Sequence, residues 1–160
     1  MNKKLVYSAG ALGVVAIAVV GYAVLKPDHP PSPAVNIDAA DLHLVAAGKK
    51  IYDVNCASCH GNKLQGEANW QKRGPDGVLP APPHDATGHT WHHPDDMLFA
   101  LTKYGPAKMV GNGYKSEMPA FEGTLSDDDI VAVLSYIKSR WPDEIRVRND
   151  QMNAAADAQE

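Results

Sequence analysis

Both cysteines of the chain lie in one pentapeptide, Cys56-Ala57-Ser58-Cys59-His60. The C-x-x-C-H pattern is the attachment signature of a c-type haem. Each thiol can add across one vinyl group of the porphyrin, while the adjacent imidazole lies under the iron as the proximal ligand. The sequence therefore predicts one covalently bound haem c, held by Cys56 and Cys59 and ligated by His60.

Two other sites use paired cysteines. A thioredoxin-like dithiol gains nothing from the following His60 and is usually found in a βαβ context. A closed zinc site needs further ligands, typically a second C-x-x-C, and the chain contains no further cysteine. Haem attachment is the interpretation that uses all three side chains.

Met118 is the predicted sixth ligand of the iron. Its thioether is a soft, neutral ligand, and Pro119 directly after it restricts the backbone. Met109 lies in the same loop but lacks the following proline, and Met97 belongs to an apolar helix face. A histidine ligand or an open sixth position are the remaining alternatives.

Three helices are predicted to position these groups. The first begins at the acidic cap Asp38-Ala39-Ala40-Asp41, continues to about Val54 and leads directly into Cys56. The second follows Pro94 and ends at Gly105-Pro106, and the third is capped by Ser126 and ends before Pro142. Their apolar faces are predicted from helical spacing to be Leu44, Gly48, Ile51 and Tyr52; Met97, Leu98, Leu101 and Tyr104; and Ile130, Val133, Leu134, Ile137 and Trp141.

No segment shows sustained strand alternation, so the predicted fold is all-α. The connections 61–93 and 105–125 are too long to be structureless in a compact domain unless they wrap a cofactor. The first contains four histidines, at positions 84, 89, 92 and 93. We consider two interpretations of them, a copper or zinc site and a solvated loop with one or two imidazoles near the haem.

The N-terminal part predicts a membrane anchor. Residues 5–25 are uncharged and nearly all apolar, enough for a helix to cross a hydrocarbon core of about 30 Å. Lys3 and Lys4 would keep residues 1–4 in the cytoplasm. A cleaved signal peptide is the alternative, although the stretch is longer than a usual h-region and has no clean A-x-A site.

The remaining segments and the charge complete the domain prediction. Residues 26–37 form a proline-rich linker, 38–141 the haem domain, and 142–160 a tail with few large apolar residues, expected to be disordered or a frayed helix. The net charge of −4 is unsuited to nucleic-acid binding. The basic pairs Lys49-Lys50 and Lys72-Arg73 could belong to a docking surface or simply face solvent.

The order helix, C-x-x-C-H, proline-rich loop, helix, Met-Pro-Ala-Phe and capped C-terminal helix resembles a class I monohaem cytochrome c. The resemblance implies three main helices around the haem, with Gly48 and Tyr52 packed against Tyr136. It also implies that a loop proline, Pro83 or Pro82 with Pro83 preferred, accepts the Nδ1 hydrogen of the proximal histidine through its carbonyl. Trp91 and Tyr104 could donate to the haem propionates, or could simply pack in the core.

These features predict a one-electron carrier and not an enzyme in its own right, since no separate nucleophile, acid/base pair or phosphate loop is found. We expect it in the bacterial inner membrane, with the haem domain in the periplasm, between a respiratory complex or dehydrogenase and an oxidase. The alternatives are a cytochrome subunit of a larger oxidoreductase, or a gas- or peroxide-reactive haem protein if Met118 does not bind iron.

Overall fold

The computed structural model describes residues 35–158, and within that range the secondary structure is helical with no β-strand. The helices are α1 (Leu42–Asn55), α2 (Ala57–His60), a 3₁₀ helix (Thr90–His92), α3 (Asp95–Tyr104), α4 (Pro106–Val110), α5 (Asp127–Ser139) and α6 (Asp143–Asp157). The three predicted main helices are confirmed as α1, α3 and α5. The three short helices were not predicted, and α6 was expected at most as a frayed helix.

The first helix starts slightly later than the sequence suggested. Asp41 is its N-cap, with Oδ1 accepting from the backbone N–H groups of His43 at 2.8 Å and Leu44 at 3.2 Å. Asp38 instead caps the preceding turn, accepting from the N–H of Ala40. Asp41 therefore satisfies two of the donors that a helix start leaves free, and the helix begins at Leu42.

The α1 and α5 helices cross at Gly48. A Cβ atom added there would lie 1.9 Å from the carbonyl oxygen of Ala132. One turn later the Tyr52 ring packs against that of Tyr136, with centroids 5.4 Å apart. This confirms the predicted packing, because only a residue without a side chain lets the two backbones approach so closely.

The buried face of α5 forms much of the core. Ser126 and Asp129 form a capping box at its start, and Ile130 and Val133 are almost fully buried. Trp141 lies beyond the end of α5 yet is also buried, and its indole Nε1 donates to the carbonyl of His84 at 2.8 Å. The C-terminal end of α5 is thereby tied to the loop that follows the haem-binding motif.

The α3 helix buries a different face from the predicted one. Pro94 precedes it and Gly105 ends it, as expected. The buried residues are Leu98, Phe99 and Thr102, whereas the side chain of Met97 is 43% exposed. The helix is thus rotated from the predicted orientation, because the apolar pattern of a short helix fits more than one face.

The tail, expected to be disordered or a frayed helix, is a packed helix in the structure. Residues 143–157 form α6, a helix of 15 residues that begins after Pro142. Ile145 and Asn149 are buried, and Lys138 of α5 forms an ion pair with Asp150. A few contacts spaced by helical turns hold this polar helix against the rest of the domain. Such contacts are not predicted by the small number of large apolar residues in the segment.

The predicted anchor at 5–25 and most of the predicted linker lie outside the described residues. Within 35–158, none of the helices has the length and apolar character needed to cross a membrane. The last part of the predicted linker is packed, since Ile37 is buried and Val35 lies against the same core. Asp38 adds a hydrogen bond from its N–H to Ser135 Oγ at 3.1 Å.

Candidate haem site

Cys56 joins α1 to α2, and Cys59 lies within α2. Cys56 is the C-cap residue of α1, and its carbonyl accepts from the N–H groups of Cys59 at 3.2 Å and His60 at 2.9 Å. Cys56 is half-buried and Cys59 is exposed, and both thiols are free. Burial, with a smaller effect of Cys59, raises the pKa of Cys56 to about 11. One helical turn therefore brings both thiols and the His60 imidazole onto one short segment.

The imidazole of His60 is oriented by a backbone carbonyl. Its Nδ1 lies 2.8 Å from the oxygen of Pro82. A carbonyl can only accept, so Nδ1 carries the hydrogen and the Nε2 lone pair is available to a metal. Burial lowers the pKa of His60, although the bond to Pro82 and the charge of Glu67 act in the opposite direction. The ring is thus held neutral, in the tautomer that an iron ligand requires.

The preferred assignment of this carbonyl to Pro83 is wrong, and Pro82 holds the position. The Pro83 carbonyl accepts from Thr90 Oγ1 at 3.4 Å instead. It also lies against Gly88, where an added Cβ would be 2.0 Å from the Pro83 oxygen. Successive carbonyls of an extended segment point in different directions, so only one of the two can face the histidine.

Gly66 packs against the peptide bond between Pro82 and Pro83. Its backbone is left-handed, with φ +65°, and an added Cβ would lie 2.6 Å from the Pro82 carbonyl carbon. Its N–H donates to the carbonyl of His60 at 2.8 Å. No local sequence pattern predicts the role of Gly66, since Pro82 is far from it along the chain.

A second imidazole packs on the proximal one. The rings of His60 and His84 stack with centroids 3.8 Å apart and planes 17° from parallel. Tyr52 contacts His84 edge-on at 5.9 Å. Burial is the main reason why the pKa of His84 is well below its usual range, with His60 and His89 adding to the effect. The neutral imidazole of His84 is therefore stacked face to face on the predicted iron ligand, His60.

The other three histidines of the cluster pack against aromatic rings or against each other. His89 packs against Trp70 and His93, and His92 lies on Trp91 with ring centroids 3.6 Å apart. In the described part of the chain there is no group of three or more His, Cys, Asp or Glu side chains that could hold a metal ion. Of the two interpretations of the histidine cluster, the copper or zinc site therefore finds no support.

Trp91 offers a donor suited to a haem propionate. Its indole Nε1 is buried and has no hydrogen-bond partner among the described residues. A buried indole N–H normally has an acceptor, and an anionic propionate would provide one. Tyr104 is half-buried at the end of α3, with Lys108 Nζ 4.8 Å from its ring centroid. The donors around the motif thus fit a haem, Trp91 more specifically than Tyr104.

Met118 lies in the connection between α4 and α5. It is half-buried, and its N–H donates to Ser116 Oγ at 3.1 Å. The competing Met109 belongs to α4, where its side chain is 42% exposed. The two methionines therefore occupy different local structures.

One cation of each basic pair has a local partner. Lys49 pairs with Asp53 on the next turn of α1, at 2.6 Å. Arg73 donates to the carbonyl of Gly77 at 2.7 Å and lies over the ring of Tyr114. Lys50 and Lys72 are exposed to solvent.

Comparison with known proteins agrees with this site. The family model described as cytochrome c matches residues 45–141. The chain is 36% identical over 104 residues to a cbb3-type cytochrome c oxidase subunit CcoP of Azospirillum sp. strain B510, covering 65% of this chain and 31% of that protein. It is 35% identical over 92 residues to the cytochrome c6 of Leptolyngbya boryana, covering 58% of this chain and 87% of that protein.

A third relative is the cbb3-type oxidase subunit FixP of Bradyrhizobium diazoefficiens strain USDA 110, 29% identical over 108 residues that cover 66% of this chain and 33% of FixP. The chain thus spans about a third of the length of the CcoP and FixP relatives. No solved structure gives a significant match. The match over most of the helical domain, together with the motif and the oriented imidazole, means that the chain belongs to the cytochrome c family, as a class I monohaem cytochrome with covalently bound haem c.

Proposed function

We propose that this protein is a membrane-tethered periplasmic cytochrome that carries single electrons between a respiratory complex or dehydrogenase and an oxidase. One-electron transfer is the chemistry that the haem supplies when bound. The observation that carries the proposal is the 2.8 Å bond from His60 Nδ1 to the Pro82 carbonyl. It leaves Nε2 of a neutral imidazole free to bind iron, directly beside the two thiols that would hold the porphyrin.

In this proposal each residue has one role. Cys56 and Cys59 form the thioether links, His60 is the proximal ligand and Met118 the sixth. Trp91 and Tyr104 donate to the propionates. A thioether in the sixth position would leave no free site for a substrate on the iron, which favours electron transfer over catalysis at the metal.

The membrane tether is supported by the sequence of residues 5–25 and by Lys3 and Lys4 before it. The far side of a bacterial inner membrane is also the compartment in which cysteine thiols are oxidised. A tether would confine the protein to two dimensions and raise its effective concentration near partners in the same membrane.

The full chain, matured with haem, provides the test of the iron ligands. We expect a low-spin spectrum with a ferric methionine-to-iron charge-transfer band, and little binding of carbon monoxide by the reduced protein. Met118→Ala should remove the band and admit carbon monoxide, while the matched Met109→Ala should change neither. Prompt carbon monoxide binding by the unsubstituted protein would instead favour a gas- or peroxide-reactive haem protein.

A second candidate is a cytochrome subunit of a larger oxidoreductase. The similarity to two proteins named as cbb3-type oxidase subunits favours it. Mild detergent extraction distinguishes the two candidates, since a subunit would elute with a catalytic partner and a free carrier would elute alone. Recovery of the haem protein in the soluble fraction before detergent is added would contradict the tether.

A further inference from the structure

The α6 helix contacts the segment that carries Trp91. Asn149 is fully buried, with 0% of its surface exposed. Its side-chain Nδ2 donates to the carbonyls of His93 at 2.9 Å and Trp91 at 3.2 Å. One side chain therefore satisfies two backbone acceptors on either side of His92.

Asn153, one turn further along α6, extends the same contact. Its Oδ1 accepts from the N–H of Asp95 at 2.8 Å, and its Nδ2 lies 3.4 Å from Asn149 Oδ1. The two asparagines bind three backbone groups between residues 91 and 95. Pro94 prevents that segment from forming a continuous helix, so its backbone groups need partners from elsewhere.

The indole Nε1 of Trp91 is the buried donor of this segment that lacks a partner among the described residues, and Asp95 Oδ1 is a buried acceptor without one. A tryptophan can direct its N–H accurately only if its backbone is held in place. Asn149 has the burial and the bonds to do this, because the short 3₁₀ helix leaves the Trp91 and His93 carbonyls to accept from Asn149.

We infer that Asn149 is a positioning residue, which acts through the backbone of Trp91 to aim the indole N–H at an anionic propionate of the haem. The inference rests on the proposed haem contact of Trp91, but not on Met118 as the sixth ligand. Through this contact α6, which follows the residues matched by the family model, helps to set the reduction potential of the haem.

The direction of the effect follows from charge. An N–H donor offsets the negative charge of a propionate, and that charge favours the ferric state. Losing the donor lowers the reduction potential. Trp91→Phe should therefore lower it, and Asn149→Leu should lower it in the same direction by misdirecting the indole. We expect a change of about threefold in the oxidation equilibrium for Asn149→Leu, which is about 28 mV for one electron.

A double-mutant cycle on the full haem-loaded chain tests the inference. If Asn149 acts through Trp91, Asn149→Leu should have no further effect on the potential in the Trp91→Phe background. Ile145→Ala is the matched control, because it removes a buried side chain of α6 that does not bond to the Trp91 segment. It should lower the thermal unfolding temperature but leave the potential unchanged.

Should Asn149→Leu fail to fold, Asn153→Ala replaces it, and a smaller shift in the same direction is expected. Equal shifts in both Trp91 backgrounds would overturn the inference, as would an unchanged potential in Trp91→Phe or a shift in Ile145→Ala as large as that in Asn149→Leu. Failure of the proposed sixth ligand would appear separately, as carbon monoxide binding and a missing charge-transfer band in the unsubstituted protein.

Discussion

The carbonyl oxygen of Ala132 on α5 occupies the space that a side chain on Gly48 of α1 would need, 1.9 Å from the position of an added Cβ. The two helices that support the haem-binding turn are therefore in backbone contact. Since α1 leads directly into Cys56, the separation of the helices determines where the motif lies relative to the core.

Replacing Gly48 by alanine should force α1 and α5 apart. We expect the free energy of unfolding to fall by about 1–3 kcal/mol or more, as for other overpacked cores. Helix propensity alone predicts the opposite, a gain of about 1 kcal/mol. Urea unfolding of Gly48→Ala measures the difference. The control is Ala46→Gly on the exposed side of α1, which should lose about 1 kcal/mol from propensity. A stabilised Gly48→Ala would refute the contact.

Gly66→Ala should raise the reduction potential. The added Cβ would meet the peptide of Pro82 and displace the carbonyl that accepts from His60 Nδ1. A weaker bond makes the imidazole a poorer donor to iron, which destabilises the ferric state. Equilibrium redox titration measures the shift.

Gly77→Ala is the matched control for Gly66→Ala. Gly77 is also left-handed, with φ +83°, but an added Cβ there has no neighbour within 4 Å. Both variants therefore carry similar backbone strain, of roughly 1–2 kcal/mol. Equal potentials in the two variants would mean that the Pro82 peptide does not control the proximal histidine.

The ion pair of Lys138 and Asp95 should be sensitive to the loss of one partner. The Lys138 side chain is only 6% exposed and lies 3.0 Å from Asp95 Oδ2. Burial is the largest influence on the pKa of Asp95 and raises it, while Lys138 opposes the rise. Lys138→Met leaves a buried carboxylate without its cation, so we expect a loss of about 3–5 kcal/mol in urea unfolding at neutral pH.

Two further variants test that explanation. Lys138→Met combined with Asp95→Asn should recover most of the loss, because no buried unpaired charge remains. Asp150→Ala removes the exposed partner of Lys138 and should cost about 1 kcal/mol or less. If the double variant were no more stable than Lys138→Met, lost packing of the lysine stem would be the cause.

The capping box of α5 should give a pH-dependent contribution to stability. Asp129 Oδ2 accepts from Ser126 Oγ at 2.7 Å and from the Ser126 N–H at 3.0 Å, and these bonds lower the pKa of Asp129. A carboxylate with a depressed pKa stabilises the fold above its unfolded pKa of about 3.9, and the effect is lost as pH falls through the folded value.

Asp129→Asn should therefore be less stable than the unsubstituted protein at neutral pH, by about 1 kcal/mol or less, and the difference should disappear at acid pH once the folded carboxylate is protonated. Thermal unfolding from pH 7 downward measures it. Asp128→Asn, on the same turn, removes a negative charge without a capping bond and should show a smaller effect. A difference that persisted unchanged at acid pH would exclude the carboxylate as its source.

The sequence by itself determined the features that depend on residues close along the chain. The C-x-x-C-H motif identifies the cofactor because the three side chains must act on one porphyrin. Local rules also predicted where helices begin, end and cross. Ser126 caps the start of α5, Gly105 ends α3, and Gly48 lets α1 approach α5 closely. The family resemblance added the pairing of Tyr52 with Tyr136, which the structure confirms.

Only the tertiary structure decided between neighbours of similar chemistry. Pro82 rather than Pro83 faces His60, because the direction of a carbonyl depends on how the whole loop folds back. The α6 helix was missed because its docking depends on single contacts at Ile145 and Asn149, with partners far away in sequence. Propensity and periodicity describe a segment alone, whereas the free energy of such contacts exists only once the partners have been brought together.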